Sequence, residues 1–125
     1  MMSDAALSGK RLWIVEDEFL LAAELQMTIE QAGGTVMGPH GDLDEALEAF
    51  DEMDQLPDAA VLDIDIDGRD VFPVAKQVHD AGIPFLFNTG HGDREELKAR
   101  FDGVTVCTKP TAGDELVAAI AELLS

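Results

Sequence analysis

The chain is poor in several features that particular functions require. It has one cysteine, Cys107, so no internal disulfide can form. Cys107 lies inside an apolar run and reads as a small core residue, not a reactive thiol. A cytoplasmic location is expected. Only eight Lys and Arg residues stand against twenty-six Asp and Glu, a formal net charge of −18. That argues against direct nucleic-acid binding, which usually needs a basic face, and against docking on an anionic membrane. No apolar run approaches the length of a membrane span. The segment Met1–Gly9 lacks the basic and apolar regions of a signal peptide. The acidic balance suits a protein that meets a basic partner or gathers carboxylates around a cation, with most acids on solvated helix surface.

At 125 residues, 46% of them hydrophobic, the chain is long enough for one domain with a real core. Residues 1–10 read as a lead-in and 11–125 as the domain, with no output domain expected after it. Arg11-Leu12-Trp13-Ile14-Val15 is a short run of strand formers, with the lone Trp13 in the core. Leu21, Leu25, Ile29 and Ala32 follow at helical spacing, and Gly33-Gly34 ends that helix. Thr35-Val36-Met37 predicts a second strand stopped by Gly38-Pro39. Asp42 and Glu45 form a capping box before Leu43, Ala46, Leu47 and Phe50. Ala59-Ala60-Val61-Leu62 is a third strand ending in Asp63. Val71, Val74, Ala75 and Val78 make a helical face with Pro73 near its start. Ile83–Phe87 is a fourth strand, ending at Asn88-Thr89-Gly90. Asp93 and Glu96 cap a weak helix whose only stripe is Leu97 and Phe101. Val104–Thr108 is a fifth strand, ending at Lys109-Pro110. Thr111 and Asp114 form a capping pair for the last helix, which carries Leu116, Val117, Ile120, Leu123 and Leu124. Strand and helix alternate five times, the pattern of an α/β, doubly wound, five-stranded parallel sheet with five helices.

In such sheets ligands bind beyond the carboxyl ends of the strands. The first strand delivers Glu16 and Asp17 there, the third Asp63, the fourth Thr89 and the fifth Lys109. The second offers little. Three neighbouring carboxylates repel unless a cation joins them, and a hard divalent ion such as Mg²⁺ suits oxygen ligands. A cation, an amine and a hydroxyl around one Asp suit a phosphoryl group, and a carboxylate is a competent nucleophile for it. Asp63-x-Asp65-x-Asp67-Gly68 resembles the start of a calcium loop, but its twelfth position is Val74, so an EF-hand is rejected. The side chain of Asp67 is expected to be solvated, as are those of His40 and His79.

The ordered set Glu16-Asp17, Asp63 after Val61-Leu62, Thr89-Gly90 and Lys109-Pro110 resembles the receiver domain of bacterial two-component response regulators. The likeness runs from Arg11 to Leu124. It implies a flavodoxin-like (CheY-like) sheet of order 2-1-3-4-5. It further implies that Asp63 accepts phosphate from a phosphohistidine on a histidine kinase or histidine phosphotransfer protein. Glu16, Asp17 and Asp63, with the backbone carbonyl of Asp65, would hold Mg²⁺. Lys109, through a cis bond to Pro110, would pair with the phosphate. Thr89 would move toward it, with Gly90 keeping the approach open. Two positions depart from the common receiver pattern: Asp67 stands where a proline is usual, and Val106 where an aromatic is usual. With Val71-Phe72-Pro73-Val74-Ala75 and Pro84–His91, these departures resemble the FAT GUY subgroup of single-domain receivers, whose members often serve general stress phosphorelays. His91 or Gly92 stands where that subgroup has an aromatic, so the switch region comprises Gly90, His91, Val106 and Pro110.

The resulting expectation is a single-domain switch that is phosphorylated but is not a turnover enzyme. It would be a monomer or a weak dimer through the face of the fourth helix, fifth strand and fifth helix. Two alternatives stay open. One is a small Mg²⁺-dependent aspartyl-phosphate phosphatase of the haloacid dehalogenase type, which also uses Asp-x-Asp, Thr and Lys. The other is a degenerate receiver that only binds a partner.

Overall fold

The computed structural model describes residues 6–90 and 94–125. The central sheet is built from β1 (Arg11–Val15), β2 (Thr35–His40), β3 (Ala59–Leu62), β6 (Phe85–Thr89) and β7 (Thr105–Thr108). These pair in the order β2-β1-β3-β6-β7, all parallel. Counting the sheet's own strands, that is the order 2-1-3-4-5. A separate antiparallel hairpin, β4 (Asp65–Ile66) and β5 (Arg69–Asp70), follows β3. The helices are α1 (Phe19–Gln31), α2 (Leu43–Asp51), α3 (Phe72–Asp80), α4 (Arg94–Arg100) and α5 (Gly113–Leu124). Among the described residues no helix is long and apolar enough to cross a membrane.

Strand alternation divides the core into two layers. Trp13, Val15, Ala60, Leu62, Phe85 and Phe87 face α2 and α3. Leu12, Ile14, Ala59, Val61 and Leu86 face α1 and α5, with Leu25, Ile29, Leu116 and Ile120 packed on them. Because both faces are covered, the strands read as unbroken apolar runs. Each fully buried leucine or isoleucine in these layers contributes about 1.5–3 kcal/mol of transfer free energy.

Several local expectations are met. Asp42 accepts a hydrogen bond from Glu45 N at 3.0 Å and so caps α2. Leu97 is buried beneath α4, with Phe101 half-buried beside it. Asp93, His91 and Gly92, which figured in the cap of α4 and in the switch region, lie outside the described residues.

Others need correction. β2 does not stop at Gly38. It runs on to His40 through a cis Gly38–Pro39 peptide, with a register shift against β1 that absorbs the irregularity. Thr111 does not cap α5, because the N-cap falls one residue later, at Ala112, which makes no side-chain cap. The Thr111 hydroxyl instead lies 2.9 Å from the Thr108 carbonyl and 3.1 Å from Asn88 Oδ1, tying the turn to the end of β6. Asp114 keeps a favourable place in the first turn of α5. Cys107 is half-buried on β7 and not fully enclosed. His40 is more than a solvated surface residue. The buried Trp13 donates its indole N–H to His40 Nδ1 at 2.8 Å, and the ring of Trp13 stacks on Phe50.

Candidate functional site

The backbone ladder runs one residue past the end of three strands, and that residue carries the chemistry each time. Glu16 N bonds the His40 carbonyl, Asp63 N the Val15 carbonyl and Lys109 N the Thr89 carbonyl, at 3.0, 3.0 and 2.9 Å. Each of the three is therefore fixed by main-chain hydrogen bonds before its side chain does anything. Strand alternation also gives all three the parity of the α1–α5 face: Glu16 follows Leu12 and Ile14, Asp63 follows Ala59 and Val61, and Lys109 follows Cys107.

The side chains converge. Lys109 Nζ lies 2.7 Å from Glu16 Oε1 and 2.9 Å from Asp63 Oδ2. Glu16 and Asp63 are 3% and 7% exposed. The second oxygen of Glu16 accepts from Glu18 N at 3.1 Å, at the start of α1. Asp17 is exposed, and its Oδ2 accepts from Asp67 N at 2.7 Å. Asp65 N lies 3.4 Å from Asp63 Oδ1, and Asp65 Oδ1 accepts from Gly68 N at 2.9 Å. Thr89 is buried at the end of β6, beside Lys109 through the ladder. The Lys109–Pro110 peptide is cis. A Cβ added to Gly90 would sit 4.0 Å from Lys109 Cβ, an ordinary contact, so space alone does not require glycine in this conformation. Val106 is half-buried on β7 opposite Phe87 and packs on the α2–α3 layer.

Two buried carboxylates share one ammonium, so the site carries excess negative charge in a dry setting. Burial pushes the Glu16 carboxyl up from 4.5 to about 7, and the charge of Asp63 adds to this. Burial pulls the Lys109 ammonium down, but its bonds to Glu16 and Asp63 outweigh that and raise it. One oxygen each from Glu16, Asp17 and Asp63 lie within 4.8 Å of one another. An all-oxygen, charge-rich donor set short of positive charge fits a hard divalent cation such as Mg²⁺.

The Glu16 shift has a measurable sign. Its folded pKa lies above its unfolded one, so folding takes up a proton between about 4.5 and 7. The contribution of Glu16 to metal-free stability is therefore greatest below that window and falls as pH rises through it, by on the order of 3 kcal/mol. Urea midpoints measured in chelator at pH 5 and pH 8 should show this fall, and Glu16→Gln should remove most of it. An equal fall in Glu16→Gln would place the titration elsewhere.

Two elements of the site escaped the sequence reading. One is Asn88, buried beneath the β7–α5 turn. The other is the β4–β5 hairpin, whose Asp67-Gly68 turn was visible as an Asp-Gly pair between two short segments.

The response regulator receiver domain family matches residues 12–121. The sensory transduction protein LytT of Bacillus subtilis is 33% identical over 104 residues, covering 80% of this chain and 42% of LytT. The transcriptional regulatory protein PdtaR of Mycobacterium tuberculosis is 28% identical over 121 residues, covering 94% of this chain and 58% of PdtaR. The chain thus spans about half the length of the curated relatives it matches. Among solved structures, SdrG of Sphingomonas melonis superposes with a TM-score of 0.77 at 34% identity, covering 96% of this chain and 98% of SdrG. The response regulator PhyR of Brucella abortus superposes with a TM-score of 0.79 at 29% identity, covering 97% of this chain and 50% of PhyR. With the family match spanning the sheet and every strand end described above, the chain belongs to the response regulator receiver domains of two-component signalling.

Proposed function

We propose that this receiver accepts a phosphoryl group on Asp63 from a phosphohistidine of a histidine kinase or phosphotransfer protein, in a Mg²⁺-dependent step, and thereby switches a protein–protein interaction or relays the phosphate. The observation that carries this reading is the convergence of Lys109 Nζ on Asp63 at 2.9 Å beside the carboxylates of Glu16 and Asp17. An Asp63 oxygen attacks phosphorus. The new O–P bond forms as the N–P bond of the donor breaks, and the electron pair returns to the donor's imidazole nitrogen. Lys109 moves from carboxylate to phosphoryl oxygen as charge spreads there. Glu16, Asp17, Asp63 and the Asp65 carbonyl would hold Mg²⁺, which would supply positive charge to neutralise phosphoryl oxygens. Thr89, at the end of β6, supplies a hydroxyl at the same rim. Phe19 and Leu20, 83% and 76% exposed at the start of α1, offer an apolar docking surface beside the acidic pair. The Phe87-Asn88-Thr89-Gly90 stretch, with Asp67 and Val106 at the departing positions, favours the FAT GUY subgroup, and with it a stress-response relay.

Incubation with a phosphohistidine donor in Mg²⁺ is expected to add one phosphoryl group per chain by intact mass, and none in chelator. Sustained release of phosphate from a small phosphomonoester would instead favour the phosphatase reading.

A further inference from the structure

We propose that Asp67 is a positioning residue for Asp17, acting through its backbone N–H and not its carboxylate. The inference rests on the reading of Asp17 as a Mg²⁺ ligand. Asp17 is exposed and its side chain turns about two single bonds, and among the described residues one hydrogen-bond donor reaches its carboxylate, Asp67 N at 2.7 Å. A charged acceptor at that distance makes a strong hydrogen bond.

That N–H is aimed by an unusual backbone. Asp67 has φ 52 and Gly68 φ 82. Positive φ at both central residues is what a two-residue type I′ hairpin turn demands. The hairpin is held in place from several sides. Ile66 is fully buried in the α2–α3 layer, and Val71 N bonds the Ile64 carbonyl at 2.8 Å. Gly68 N bonds Asp65 Oδ1, and Arg69 reaches Asp44 on α2 at 3.2 Å. The side chain of Asp67 is exposed, as the sequence suggested. Its value lies in tolerating φ 52 while keeping an N–H. Asp and Asn tolerate that region best among residues with a Cβ. Proline can do neither: it has no N–H, and its ring fixes φ near −65°. An asparagine at position 67 keeps both properties and drops only the charge.

Partners that orient metal ligands typically change metal affinity by about 10–100-fold when lost. Mg²⁺ titration by calorimetry is therefore expected to show Asp67→Pro binding at least about tenfold more weakly than wild type, with Asp67→Asn within about twofold. Wild-type affinity in a folded Asp67→Pro overturns the proposal. A wild type without Mg²⁺ affinity overturns the metal reading and this inference with it, so the two failures are distinct. The amide of Asp67 provides a readout that needs no proline variant. In metal-free wild type it should be protected from hydrogen exchange, and Asp17→Asn should weaken that protection and shift its resonance. An unprotected Asp67 amide, indifferent to Asp17→Asn, overturns the proposal even where Asp67→Pro does not fold.

Discussion

Asp63→Asn is expected to take up no phosphoryl group, with labelling falling to the background of the reaction, while the protein folds at least as well as wild type. The substitution is nearly isosteric at a site only 7% exposed, and the amide oxygen can still accept from Lys109. What disappears is a nucleophilic carboxylate and one negative charge. Removing that charge leaves a single buried pair, Lys109 with Glu16 at 2.7 Å. Because the charge of Asp63 is one of the causes holding Glu16 near 7, the Glu16 carboxyl should titrate lower in the variant. Burial, the largest cause, remains, so its pKa stays above the ordinary 4.5. Metal-free stability at pH 8 should rise by about 1 kcal/mol, the size of gain commonly found when a functional site is relieved of strain. Intact mass reads the first outcome, and carbonyl-detected titration with urea unfolding reads the second. Labelling of Asp63→Asn at the wild-type level would mean that the acceptor is another residue.

Lys109→Met is expected to be the most destabilising of these changes. It removes the ammonium that lies between two buried carboxylates whose side chains are 1% and 9% exposed. Breaking a buried ion pair by deleting one partner typically costs about 3–5 kcal/mol, because the remaining charge is uncompensated. The loss should be close to 3 kcal/mol at pH 8 in chelator. It should shrink at pH 5, where Glu16 takes up a proton and sheds its charge. It should also shrink in millimolar Mg²⁺, which replaces the missing positive charge. Denaturant midpoints across this two-by-two set of conditions test the argument. A loss that ignores both pH and Mg²⁺ would show that Lys109 matters through packing alone. Phosphoryl uptake should be strongly slowed even where Mg²⁺ restores the fold, since the amine that meets the phosphoryl oxygens is gone.

How much of this was legible beforehand depended on the kind of interaction involved. The five sheet strands were readable because burial on both faces makes runs such as Ala59–Leu62 uniformly apolar. The site was readable because a charged residue that interrupts such a run at its carboxyl end has to lie on the binding rim, as Asp63, Glu16 and Lys109 do. The β4–β5 hairpin was not, since strands of two residues each have no periodicity to detect. Nor was the hydrogen bond from Asp67 to Asp17, which spans fifty residues and uses a backbone atom that leaves no mark on residue identity. Thr111 misled because capping rules name residue types, and a shift of one position turns a cap into a tie to Asn88. The second strand misled because Gly38-Pro39 ordinarily stops a strand, whereas a cis peptide and a register shift carry this one through.

The hydrogen bond from the indole of Trp13 to His40 also makes the molecule its own optical probe. The chain has one tryptophan and no tyrosine, so near-ultraviolet emission arises from a single, fully buried chromophore. That chromophore is linked to the rim in two steps: its N–H bonds the ring of His40, and the carbonyl of His40 accepts from the backbone of Glu16. Unfolding and cation titration can therefore be followed on unmodified protein, and a change in emission intensity has only one origin to explain.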